Sequence, residues 1–273
     1  MPFTLIQGRF KPKVGIPDGD SVRFIANEKE LWSRLEGRPV KFGSGKGQDT
    51  VQLRFEGIDA IEKGAIQPLA TKAKENMFRL IGYDAVANPE PVGYILARMT
   101  DDKSGRPICF LFAGSTSQKD GSEVRLETSL LRKSVNYLQV KSGFAYPLYY
   151  NTLYAALRRE LDKAVASARQ GKLGYWPSDK TTKGVAVQSH ADLATIPPIW
   201  PKLWRRLDDF LKNTEGLDGF VASLKKKNER INILSIMEER GLHTLIKVTG
   251  NKVRMTESPE NLQVIGRVGK RRR

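Results

Sequence analysis

Near residue 125 the hydrophobic period of this chain changes from two to 3.6 residues. Before that point, "FTLIQGRF" and "VGIPDGDSVRF" read as strands around a Pro-Asp-Gly-Asp turn. "TVQLRFEGI" reads as the next strand, and "VGYILARMT" and "RPICFLFAG" as a hairpin turning at "DDKSG". One helix is inserted: in "QPLATKAKENMFRLIG", Leu69, Ala73, Met77, Leu80 and Ile81 share a stripe. After it, Leu131, Val135 and Leu138 fall on one helical face. Leu153, Ala156, Leu157, Leu161, Ala164 and Val165 form a longer stripe that stops at Gly171. Strands first, with helices inserted and appended, predict an α+β fold. The expected form is a five-stranded Greek-key barrel of the OB type with packed helices.

Trp176-Pro177 marks the expected exit from that domain, which spans 1–177. Residues 178–198 are small, polar and Pro-terminated and predict a linker. A basic α+β module is expected over 199–273. It opens on a helix with Trp200, Leu203, Trp204, Leu207, Phe210 and Leu211 in register and includes a hairpin turning at Gly250-Asn251. For the two tryptophans, core packing is several times the better expectation than a base-stacking platform.

The chain of 273 residues carries 46 Lys and Arg against 30 Asp and Glu, a net charge of +16. Residues 1–176 hold 27 against 19 and residues 177–273 hold 19 against 11, so each part carries +8. A field of that sign attracts polyanions, nucleic acid above all. The basic runs at 225–227 and 270–273 suit a phosphate backbone, although solvated charge is the default for such runs. No apolar run is long enough for a bilayer, and no membrane partner is expected. The N-terminus has no basic-then-apolar secretory pattern, so a cytoplasmic location is expected. The single cysteine, Cys109, excludes an internal disulfide and a cysteine-rich zinc site.

The chemistry concentrates in "VQLRFEGIDAIEK", residues 51–63. Arg54 lies in the strand; Asp59 and Glu62 follow its end at intervals of five and three. "PDGDSV" adds Asp18 and Asp20, two apart and so on one face of an extended chain. Two aspartates with a carbonyl and waters make an all-oxygen site suited to Ca2+ or Mg2+. Arg54, and Arg106 after "DDKSG", offer planar forks that match phosphate oxygens. Aimed at a pentacoordinate phosphorus, they would stabilise its growing charge. Glu62 is placed to orient or deprotonate a water. Taken singly, each position also fits an ordinary turn, a surface charge or an ion pair.

Jointly, "DGDSV", "RFEGIDAIE", "DKSGR", "SVNYLQVKSGFA" and "GKLGYW" resemble the staphylococcal nuclease family over about residues 14–177. The resemblance implies an OB-fold barrel that cleaves DNA and RNA with Ca2+. It places Asp20 and Asp59 on the metal-binding aspartates and the backbone carbonyl of Ala60 on a further ligand. Arg54 and Arg106 fall on the two phosphate-binding catalytic arginines, and Glu62 on the general base. Lys103 and Tyr149 are implied as substrate-binding residues.

Three departures stand out. Ser21 replaces a threonine, Ala60-Ile61 replace Thr-Pro, and Ser104 replaces an aromatic. Weakened or retuned metal binding is therefore implied. The overall expectation is a metal-dependent nuclease of low sequence preference, suited to defence against foreign DNA, with a regulatory protein partner at the C-terminal module. The alternative is a catalytically silent, nuclease-like module that binds nucleic acid or protein.

Overall fold

The computed structural model describes residues 2–266; the basic run 270–273 lies outside the described residues. The chain forms two compact units. The first comprises residues 2–56 and 74–139, the second 57–73 and 140–266.

In chain order the strands are β1 (Phe3–Lys11), β2 (Arg23–Ala26), β3 (Val51–Gln52), β4 (Arg54–Phe55), β5 (Ile58–Asp59), β6 (Val92–Thr100), β7 (Pro107–Ala113) and β8 (Glu123–Val124). The helices of the same stretch are α1 (Gln67–Leu80), α2 (Thr128–Leu131) and α3 (Val135–Lys141). All these strands except β5 belong to the first unit. Their order is β3-β2-β1-β6-β7-β4, with β8 paired to β1 off that path. β3 and β4 stand at opposite ends of this order, yet only Leu53 separates them in the chain. The sheet is therefore nearly closed and barrel-like, and the fold is mixed α+β. The described residues give it seven strands rather than the expected five, because one expected strand divides and β8 adds an edge.

That division has a local cause. The N–H of Leu53 donates to Val22 at 2.9 Å, but the N–H of Phe55 donates to Asp20 at 3.2 Å and that of Glu56 to Cys109 at 2.9 Å. The chain thus leaves β2 and joins β7, with Arg54 opposite Ile108 in a parallel pair. It then turns at Gly57, whose φ of 81° favours glycine. Within the barrel, Gly8 faces Gly93 across β1 and β6. A Cβ on Gly93 would stand 2.2 Å from the Phe10 ring, so glycine lets the aromatic core close there. Phe3, Phe10, Phe24 and Phe110 fill that core.

The second unit adds β9 (Tyr146–Pro147), β10 (Tyr149–Tyr150), β11 (Val185–Ala186), β12 (Arg230–Ile233), β13 (Glu238–Gly241), β14 (Ile246–Thr249), β15 (Lys252–Met255) and β16 (Leu262–Val264). Its helices are α4 (Ala155–Gln170), α5 (Pro201–Leu211) and α6 (Phe220–Lys227). β5 pairs with β9, while β16 lies between β10 and β12. The C-terminal strands thus share a sheet with Tyr149 and Tyr150. The stretch 178–198, expected as a linker, runs inside this unit and contributes β11 and a 3-10 turn at His190–Ala194. The hairpin at Gly250-Asn251 forms as the sequence predicts, with Thr249 opposite Lys252. Among the described residues, no helix is long and apolar enough to cross a membrane.

Candidate functional site

In the first unit, one end of the barrel-like sheet gathers three of the expected residues. The carbonyl of Asp20 accepts the bond from Phe55, next to Arg54. Arg54 pairs with Ile108, two residues past Arg106. Short turns fix both flanking loops. The Asp18 carboxylate accepts bonds from the Asp20 N–H at 3.3 Å and the Ser21 hydroxyl at 2.7 Å. Asp101 does the same for "DDKSG": its carboxylate accepts from the N–H groups of Lys103 and Ser104 and from the Ser104 hydroxyl. Arg106 donates through Nε to Asp101 at 2.9 Å and remains part-exposed. Burial pushes the Asp101 carboxyl up, but the bonds from Ser104 and Arg106 outweigh it and hold the group at about 2. Lys103 sits exposed in this turn, its carbonyl accepting from Arg38.

Two residues that escaped the sequence reading hold this end of the sheet. Asn136, fully buried on α3, donates to the carbonyls of Glu56 and Cys109, each at 3.0 Å. Its side-chain oxygen accepts from the Leu111 N–H at 3.0 Å. One amide thus ties the Arg54 strand to β7. Gln139, one helical turn on, donates to the Gly19 carbonyl at 2.7 Å, beside Asp20. Both lie in "SVNYLQVKSGFA", where an apolar-stripe reading passes over polar residues on the buried face. Ser134 also breaks the expected stripe into α2 and α3. Its hydroxyl donates to the Leu131 carbonyl and accepts from the Tyr137 N–H.

Glu56 is buried 3.6 Å from Arg98, whose guanidinium lies over the Phe3 ring. Burial raises its carboxyl from 4.5 to about 7, against the attraction of Arg98. A carboxyl raised by folding contributes stability below its unfolded pKa and loses it as pH rises through the folded one. Glu56→Gln, which mimics the neutral acid, is therefore expected to gain about 3 kcal/mol relative to the parent between pH 4.5 and pH 8. Urea unfolding of both proteins across that range measures it. A stability difference that stays flat with pH would contradict the assignment.

In the second unit, Asp59 and Glu62 meet on one side chain that the sequence reading passed over. Arg205 of α5 donates through Nη1 and Nη2 to the two oxygens of Asp59 at 2.9 and 2.8 Å. Nη1 also donates to Glu62 at 2.5 Å. The Asp59 side chain is 4% exposed and that of Arg205 32%. Burial works against the guanidinium charge, but the two carboxylates outweigh it and raise its pKa further. "WPKLWRRLDDF" reads as an amphipathic stripe, and only the polar side of that stripe carries this signal.

The position of α5 is determined by a chain of bonds that starts beside Asp59. Asp59 faces Tyr146 across β5 and β9. The Tyr146 hydroxyl donates to Asp179 at 2.8 Å, and the Thr181 hydroxyl to the same oxygen at 2.5 Å. The Trp200 N–H donates to Thr181 at 2.9 Å, and its indole N–H to the Pro147 carbonyl at 3.1 Å. The Trp204 indole donates to the Leu193 carbonyl at 3.1 Å. Both tryptophans are buried in packing, as the sequence favours. Glu62 also edges a mostly apolar recess with Ile61, Ile66, Ile196 and Trp204.

The remaining expected residues divide. Ala60 is buried just past β5. Tyr149 is not brought to a surface: it is fully buried, and its hydroxyl donates to Asp162 at 2.7 Å. Among the described residues, no group of three or more His, Cys, Asp or Glu is placed to hold a metal ion. As arranged, both oxygens of Asp59 are on Arg205, so the Ca2+ that the resemblance implies does not fit these carboxylates. No protein-family model and no curated protein matches this chain.

Proposed function

We propose that this protein is a nuclease that hydrolyses phosphodiesters of DNA or RNA with low sequence preference, built on an OB-type barrel. The observation that carries the reading is the gathering of Asp20, Arg54 and Arg106 at one end of the barrel-like sheet, fixed by backbone bonds and by Asn136. Arginine forks there would take phosphate oxygens and oppose the charge that grows during in-line attack. The resemblance implies Glu62 as the base that takes the proton of the attacking water. Contacts made through phosphates carry little sequence information, in keeping with the net charge of +16. Ca2+, or Mg2+ in its place, remains the cofactor that the resemblance implies. The C-terminal segment is the proposed holder of substrate or of a regulatory protein.

The Arg205 contact favours a second reading: a silent nuclease-like module whose carboxylates serve only to hold α5. Purified protein incubated with plasmid and with single-stranded RNA, over titrations of Ca2+ and Mg2+, separates the two. The nuclease reading expects ion-dependent cleavage that is lost in Glu62→Gln and Arg106→Ala. Nucleic-acid binding without cleavage at any ion concentration would leave the module.

A further inference from the structure

We infer that Arg205 is a built-in counter-cation that competes with a divalent metal for Asp59, so that the carboxylate pair is closed to metal while α5 is docked. The inference rests on the nuclease reading only in taking Asp59 as the metal-binding aspartate; the competition itself is a property of the side chains. A guanidinium fork covers both oxygens of a carboxylate in one plane. Here it does so at 2.8 and 2.9 Å, and its third bond takes Glu62 as well. Two negative charges face one positive charge. A divalent ion arriving at Asp59 would meet a guanidinium a few ångströms away. At that distance like charges repel strongly enough, at the effective dielectric of a partly buried site, to change affinity by tenfold or more.

Chance surface pairing does not account for the contact. Asp59 is buried, and an ion pair with one buried member is not a solvent-averaged encounter. The approach of α5 is determined by Trp200 on the Pro147 carbonyl and by Thr181 and Asp179 on Tyr146, the residue opposite Asp59. The same strand pair that presents the carboxylate therefore seats the helix that covers it. The other basic side chains of α5 have carboxylate partners of their own: Lys202 and Arg206 both engage Glu229. Arg205 alone among the three is directed at the expected site residues. The arrangement makes metal loading depend on displacing an internal cation, and so on a higher Ca2+ concentration than an open carboxylate pair requires.

The test is Ca2+ binding by calorimetry to the full chain without nucleic acid, comparing the parent, Arg205→Gln and the double variant Asp59→Asn/Arg205→Gln. Ca2+-dependent thermal stabilisation is read in parallel, because an ion that binds only the folded chain raises its melting temperature. Arg205→Gln is expected to bind Ca2+ roughly tenfold or more tightly than the parent. The double variant should lose that gain. Equal affinity in the parent and Arg205→Gln would overturn the inference, whether or not either protein cleaves nucleic acid. A gain in affinity without cleavage would uphold the competition and remove the nuclease reading. Should Arg205→Gln fail to fold, Arg205→Lys keeps the charge but gives up the two-pronged contact. It is then expected to show a smaller gain, and no gain would count against the inference.

Discussion

Asn136→Leu is expected to destabilise the first unit by about 2–5 kcal/mol, since it strands two buried backbone groups that each cost on the order of 1–3 kcal/mol when unpaired. Those groups are the carbonyl of Glu56 and the N–H of Leu111, while the Cys109 carbonyl keeps the bond from the Glu56 N–H. Leucine shares asparagine's branching but carries bulkier methyl groups, so lost bonding and crowding rather than a cavity dominate. Urea unfolding monitored by far-ultraviolet circular dichroism gives the value. A loss below about 1 kcal/mol would mean that these groups find other partners. Because Asn136 joins β4 to β7, the same substitution should also loosen the strand that carries Arg54.

On the proposed nuclease reading, Arg54→Ala, placed in the Arg205→Gln background, is expected to lower phosphodiester cleavage roughly 100-fold or more, the usual cost of removing one donor to a developing oxyanion. The effect should fall on kcat rather than KM, because the fork matters most once the phosphorus becomes pentacoordinate. Arg54→Lys should recover little, since an ammonium cannot offer two parallel donors. A loss confined to KM would reassign Arg54 to general attraction of the polyanion.

Much of the first half of the chain is legible from its hydrophobic periods and turn residues. The β6–β7 hairpin over "DDKSG" and helix α1 over 67–80 follow from them. The splitting of "TVQLRFEGI" does not, because strand pieces this short are set by their partners, β2 and then β7. The site is half legible. The intervals between Arg54, Asp59 and Glu62 are visible in one short stretch. Arg205 lies 143 positions beyond Glu62, on a helix whose apolar stripe dominates any reading of it. Asn136 and Gln139 are hidden for the opposite reason: they are polar residues on a buried face, and their partners are backbone groups that no side-chain pattern reports. The placing of β16 between β10, to which it is parallel, and β12, to which it is antiparallel, is a long-range arrangement that a linker-like composition at 178–198 obscures.

The most direct measurement is the rate of plasmid cleavage against Ca2+ concentration for the parent chain and Arg205→Gln. A carboxylate pair that serves a nuclease and is covered by Arg205 predicts that the variant reaches a given rate at roughly tenfold lower Ca2+ or less. Arg205→Gln that is folded and saturated with Ca2+, yet cuts neither plasmid nor RNA, would contradict the account.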